Sequence, residues 1–473
     1  RQQYSFGGFG RLRNWEDLER QDERSIAYDS LGRKTLEQFF LGGQTADLHE
    51  FDDIGRLVRV DHPDAYDIEY DFLGSTVTVI DEELASTELR YQAFGEPDSK
   101  RLNQVLDAEN KLWTYAYSPS NGLLTTITAP SGVSGANRSF TYTTDQLLDI
   151  ETHPETGAIN HDYSAGGDRI RTAKAGLSVE FDFDGPGRLY YVDAPTGTND
   201  VEFVYDQASL PTTIDNTTAD YVQIWDGAQR LTRRTATIDG RTFVTNFDYD
   251  DHDRLTEIIY PSGRTFVYGY DGDGRVDSIT YPGEGAYAPS ITYTSHGGLD
   301  VLSYGNGAFS DLTYDSRFRP TLFNTQLDDL SVGYDPASRI NSWSASGVTR
   351  GFGYDDLGRL TSATGPAGEA MSFIYNGAGN RSSSIVGGVP ETYTYNSATG
   401  RLSSVSGGYA NTYGYDSTGR LTSATGRTYT WTGLDRLASI TVGPTLAAYS
   451  YDGEGRRVKS TVDGVSRYFV LDP

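Results

Sequence analysis

The sequence predicts an all-β fold made of tandem hairpins, and three observations predict it. Two stretches are nearly identical, YDDLGRLTSATG from Tyr354 to Gly365 and YDSTGRLTSATG from Tyr415 to Gly426. Degenerate copies of their Tyr-Asp-x-x-Gly-Arg-Leu core recur along almost the whole chain. The composition suits pleated strands and tight turns, with 34 Tyr, 20 Phe and 53 Gly among 473 residues.

The first element is the turn. Clear copies start at Tyr28, Phe51, Phe183, Tyr270, Tyr354, Tyr415 and Tyr451. Weaker ones start at Tyr70, Trp225, Tyr249, Tyr314, Tyr334, Tyr375, Tyr395 and Trp431. With fainter members there are about 21 anchors, roughly 20 to 23 residues apart, so one period covers the chain. Asp followed three residues later by Gly describes a type I turn closed by a left-handed glycine. The aspartate side chain can accept a hydrogen bond from the backbone two residues on. The turn residues singled out are Tyr354, Asp355, Gly358 and Arg359, with Tyr415, Asp416, Gly419 and Arg420. A second turn signal lies between anchors, as in YPSGR from Tyr260 to Arg264, so each unit reads strand, turn, strand, turn.

The second element is the strand before the turn. The residue two before the anchor is aromatic in Phe352 and Tyr354, Phe373 and Tyr375, Tyr413 and Tyr415, and Tyr449 and Tyr451. Such pairs share one face of a strand, so stacked units are expected to line these rings into cross-strand ladders. His161 before Tyr163 and Gln223 before Trp225 break the rule. The segment NWEDLERQDER, Asn14 to Arg24, is the one helix-friendly stretch and is expected to lead into or cap the array. A long sheet must hide its edges, which favours a wall that closes on itself.

At these residues the sequence resembles the RHS/YD-repeat family, whose repeat has this core, from about Tyr28 to the end. The family includes bacterial polymorphic toxins, shell subunits of insecticidal toxin complexes, wall-associated proteins and teneurins. The resemblance implies a long β-ribbon that spirals into a hollow shell. In the toxins it implies a shell around a C-terminal effector released by self-cleavage at a core after the repeats. The sequence starts at Arg1 rather than Met, so a fragment or a processed product is expected, and it stops at YFVLDP, about where that core would begin. The expected organisation is a lead-in over 1–27 and a repeat shell over 28–473.

Charge and composition exclude several classes. A net charge of −27 opposes binding to nucleic acid or anionic membranes. No cysteine is present, so thiolate catalysis, disulfides and Cys-type zinc sites are excluded. No apolar run is long enough to span a membrane as a helix.

No nucleophile elbow, Walker A or H-E-x-x-H motif occurs, and no catalytic residue or cofactor is assigned. Asp248, Asp250, Asp251 and Asp253 read as solvated turn carboxylates rather than a glycosidase pair. Glu151, His153, Glu155, His161 and Asp162 match no zinc spacing and read as an irregular hairpin tip. The D-x-D-G runs at Tyr270–Gly274 and Phe181–Gly185 lack the rest of a calcium loop. Asn137, Asn216 and Asn380 begin glycosylation sequons.

The expectation is therefore a non-enzymatic, secreted or cell-surface repeat shell whose partner is a C-terminal cargo on the same polypeptide. The alternative is a structural or adhesive surface protein whose Tyr rows bind glycans or which self-associates.

Overall fold

The computed structural model describes residues 2–6, 11–17, 22–41, 44–94, 96–195, 200–283, 285–366 and 368–470. Among the described residues there are 46 β-strands and no helix. Strands pair antiparallel with their neighbours in chain order, as a meander in two long sheets.

Each hairpin is built by the turn grammar. The Asp355 N–H donates to the Arg359 carbonyl at 3.0 Å, and the Gly358 N–H donates to the Asp355 carbonyl at 2.8 Å. The same two bonds form at Asp416 and Gly419. Gly358 has φ +73° and Gly419 φ +92°, the left-handed region where a Cβ is strained. Where the motif is degenerate the turn keeps this conformation without glycine, as at Gln229, Ser338 and Phe318.

The structure adds a bulge that the motif does not announce. Tyr354 faces Leu360 while Gly353 faces Ser362, so Thr361 is an extra residue. The same slip follows Phe51, Tyr205, Tyr249, Tyr415 and Tyr451. A bulge bends its strand and increases the local twist, so each bulged repeat adds a small bend to the sheet; the hairpin at Tyr70, paired in unbroken register, lacks it.

The helix-friendly reading of 14–24 is corrected. Leu12–Asp17 and Asp22–Tyr28 are strands, paired Asn14 to Ser25, Trp15 to Arg24 and Glu16 to Glu23; residues 18–21 lie outside the described residues. Helix propensity is a weak prior, and a neighbouring strand that supplies a full ladder of backbone hydrogen bonds overrides it.

Two compact units can be distinguished. The first comprises residues 1–115, 270–280 and 284–390; the second comprises 116–269, 281–283 and 391–473. Within the first, turns far apart in sequence meet through charge: Arg317 and Arg319 reach Asp64, Arg339 reaches Glu83, and Arg359 reaches Glu109. Within the second, Val458 packs into an apolar cluster of Val201, Ile214, Ala219, Tyr221, Ala236 and Ile238. Val458 and Ile238 are its fully buried side chains.

Candidate functional site

The feature that recurs is the turn, and the residue that organises it is arginine. Asp355 Oδ1 accepts the N–H of Leu357 at 3.1 Å and of Arg359 at 2.9 Å, while Oδ2 accepts Arg359 Nε at 2.7 Å. Asp416 makes the same set with Thr418 and Arg420, and it also accepts the Thr418 hydroxyl at 2.7 Å. Partial desolvation pushes the Asp416 carboxyl up. Bonds from Thr418 and from the Arg420 guanidinium and N–H outweigh that and hold it down at about 2. Asp250 is held at about 2 by the same balance with Arg254.

The arginine then reaches forward to the next repeat. Arg188 is paired with Asp184, donates through Nη1 to the Asp206 carbonyl at 2.9 Å, and lies over the Tyr205 ring at 4.8 Å. Arg230 repeats this with Asp226, the Asp250 carbonyl and the Tyr249 ring. Arg339 lies over Tyr354 and Arg359 over Tyr375. The clamped ring is fixed at its other end by its hydroxyl. Tyr354 donates to the Ile340 carbonyl, Tyr375 to Leu360 and Tyr451 to Leu437. Trp431 does the same through its indole N–H to Leu421. Burial pushes the hydroxyls of Tyr354 and Tyr415 up from the usual phenol range. One arginine thus closes its own turn by an ion pair and grips the following turn by a carbonyl and a π-face.

Of the rings singled out in the sequence, Tyr354, Tyr375, Tyr415 and Tyr451 hold this anchor position, and none of the eight directly faces another across strands. Phe352 faces Ala363 and Tyr354 faces Leu360; Phe373 faces Ser384 and Tyr375 faces Arg381. Tyr413 and Tyr415 face Ala424 and Leu421, and Tyr449 and Tyr451 face Ser460 and Arg457. Anchors recur on every second strand, so the strand between supplies small, aliphatic or cationic partners. Phe373 is buried, and the other seven rings are half-buried. The role of arginine had a signal in the sequence: the copies that lose glycine, at Trp225, Tyr314 and Tyr334, all keep the arginine.

The other groups considered for chemistry have structural partners. Glu151 bridges His153 at 2.9 Å and His161 at 3.3 Å, and His161 also meets Thr172. Among the described residues no group of three or more His, Asp or Glu is arranged to hold a metal. Arg275 pairs with both Asp271 and Asp273, and Arg188 with Asp184, so acids of the D-x-D-G runs face guanidinium. Asp253 pairs with Arg230. The Asn216 amide of one sequon donates to the Tyr451 carbonyl at 3.1 Å.

Comparison with known families adds a match to the RHS repeat at residues 225–265, 249–286 and 334–370. These segments carry the turns that start at Trp225, Tyr249, Tyr270, Tyr334 and Tyr354. Residues 225–286 and 334–370 are thus matched as RHS repeats. No curated protein matches it.

Among solved structures, the crystal structure of TcdB2-TccC3-TEV aligns with a TM-score of 0.76 at 16% identity, covering 97% of this chain and 30% of that one. TcdB2-TccC3-Cdc42 gives 0.77 at 15% identity, over 98% and 30%. The Photorhabdus luminescens Tc holotoxin pore with a TccC3 mutation gives 0.72 at 15% identity, over 97% and 29%. At these identities the likeness is one of fold. The chain spans about 30% of the length of the structures it matches.

Proposed function

We propose that this RHS array is the non-enzymatic wall of a container, with residues 1–27 as its lead-in and 28–473 as the wall. It would enclose a C-terminal segment of its own polypeptide, and the container would be secreted. The observation that carries the reading is the clamp repeated in both units. It builds long antiparallel sheets with the fold of a part of TcdB2-TccC3 and pairs Arg188, Arg230 and Arg359 with the aspartates of their own turns. A sheet curved by bulges that recur from repeat to repeat gains most by closing, because closure removes unpaired edges.

Protease protection tests it. A flexible peptide fused after Pro473 is expected to survive a protease dose that digests the same peptide when free. Complete digestion at that dose would falsify the container.

A second reading, glycan binding by a surface protein, is favoured by one observation. In the second unit an open pocket of about 600 Å³ is lined by Phe243, Tyr260, Phe266, Tyr468 and Arg264. Aromatic faces beside a guanidinium suit a sugar ring. Saccharide binding that is lost in Tyr260→Ala would support this reading, and a flat titration across neutral and acidic saccharides would reject it.

A further inference from the structure

In the second unit the strand after each turn pairs with the strand before it through a repeated core couple. Phe181 faces Val192, Phe203 faces Ile214, and Phe247 faces Ile258. In two repeats both members of the couple are polar: His161 faces Thr172, and Gln223 faces Arg234, where one member carries a full charge. Gln223 and Arg234 are buried about as deeply as the apolar counterparts, at 6% and 3% exposure against 3% for Ile214 and 5% for Phe247 and Ile258. A buried arginine on a sheet of near-identical repeats calls for a specific partner.

The partner is a turn from the far end of the same unit. Arg234 Nη2 pairs with the Glu454 carboxylate, and the guanidinium lies 3.9 Å from the Tyr221 ring centroid. The Tyr221 hydroxyl donates to Asp452 Oδ2 at 2.9 Å. Around this pair the contact is apolar, with Val458 seated among Val201, Ile214, Tyr221, Ala236 and Ile238. Apolar contact is non-directional. Because the repeats are alike, the same apolar surface would accept the preceding turn as well. That turn carries Thr432 where the docked one has Asp452, and Leu434 where it has Glu454. A slip of one repeat would bury Arg234 against Leu434.

We propose that Gln223 and Arg234, read by Glu454 and Asp452, form a register key that selects turn 452–456 over the equivalent turns of neighbouring repeats. The key is not an efficient stabiliser. Arg234 Nε and Nη1 and Gln223 Oε1 have no hydrogen-bond partner among the described residues. A buried polar group that costs stability while excluding wrong pairings is a known way to specify register. The inference does not depend on what the array contains, so it stands or falls apart from the container reading.

The absence of cysteine makes the test clean. Asp239 and Lys459 form an ion pair in the docked register. A short bis-maleimide should therefore bridge Asp239→Cys to Lys459→Cys. Ser439 is the residue that corresponds to Lys459 one repeat earlier, so Asp239→Cys with Ser439→Cys reports the slipped register.

In the otherwise unaltered chain only the first pair should cross-link. With Gln223→Phe and Arg234→Ile, which restore the neighbours' couple, strand content should be retained and the second pair should cross-link at the expense of the first. A second variant moves the key: Leu434→Glu with Glu454→Leu should transfer the cross-link to Ser439. If both variants keep only the Lys459 cross-link, the key is overturned. Loss of fold in the Phe/Ile variant would overturn it too, since the pair would then be holding the wall up rather than choosing its register.

Discussion

The turns at Tyr354 and Tyr415 share almost every letter, yet their surroundings make them different objects. Both close by the same bonds among Asp, Gly and Arg. A Cβ on Gly358 would meet only the flexible Arg339 side chain, at 3.4 Å. A Cβ on Gly419 would stand 2.5 Å from the Glu155 carbonyl oxygen, part of a backbone that cannot swing aside. Arg359 pairs with Glu109, far along the chain, whereas Arg420 pairs with Asp435 in the next turn. The local grammar sets the shape of a repeat, and the return contact sets how much a given residue matters.

The largest expected effect breaks this comparison directly. Gly419→Ala combines left-handed strain with a backbone clash and should cost about 3 kcal/mol. Gly358→Ala carries the strain alone and should cost roughly 1–2 kcal/mol. Denaturant midpoints decide it, and equal losses would mean that the Glu155 contact is absent in solution.

Asp416→Asn should cost about 1–2 kcal/mol at neutral pH, discounted because the carboxylate is partly solvated. Its folded value of about 2 lies below the usual 3.8 of an aspartate. Its contribution is therefore complete above about pH 4 and lost as the pH falls toward 2. The variant should flatten that limb of the stability–pH curve, and an unchanged acid limb would show that other carboxylates control it.

Arg359→Lys keeps the charge but loses the fork that grips Asp355 and Glu109 and the planar contact with Tyr375, for a loss of about 1 kcal/mol. A double-mutant cycle with Glu109→Gln should show coupling of about 0.5 kcal/mol. The matching cycle between Arg420 and Asp435 should show less, because Asp435 is well exposed.

The smallest effect sharpens the rule for the degenerate turns. Gln229 is held at φ +65°. Gln229→Gly should gain about 0.5 kcal/mol, the relief of strain less the entropy of glycine. A loss in thermal melting would mean that the Gln229 side chain has a role its turn position does not explain.

Sequence alone determined the brick. Asp, Gly and Arg at fixed spacing act over a few residues of backbone, so the hairpin, the positive φ at Gly358 and Gly419, and the all-β class were legible from one chain. So were the two positions that break the aromatic rule, His161 and Gln223, although not what they meet. The charged stretch at 14–24 was misread, because its strand form depends on hydrogen bonds from a neighbour and not on its own propensity. Tertiary structure alone decided that Arg359 reaches Glu109, that Glu155 crowds Gly419, and that Arg234 finds Glu454. The physical reason is range. Near-identical repeats carry near-identical local energies, so nothing within one repeat can say which distant copy it will face; only side chains brought together across more than two hundred residues can.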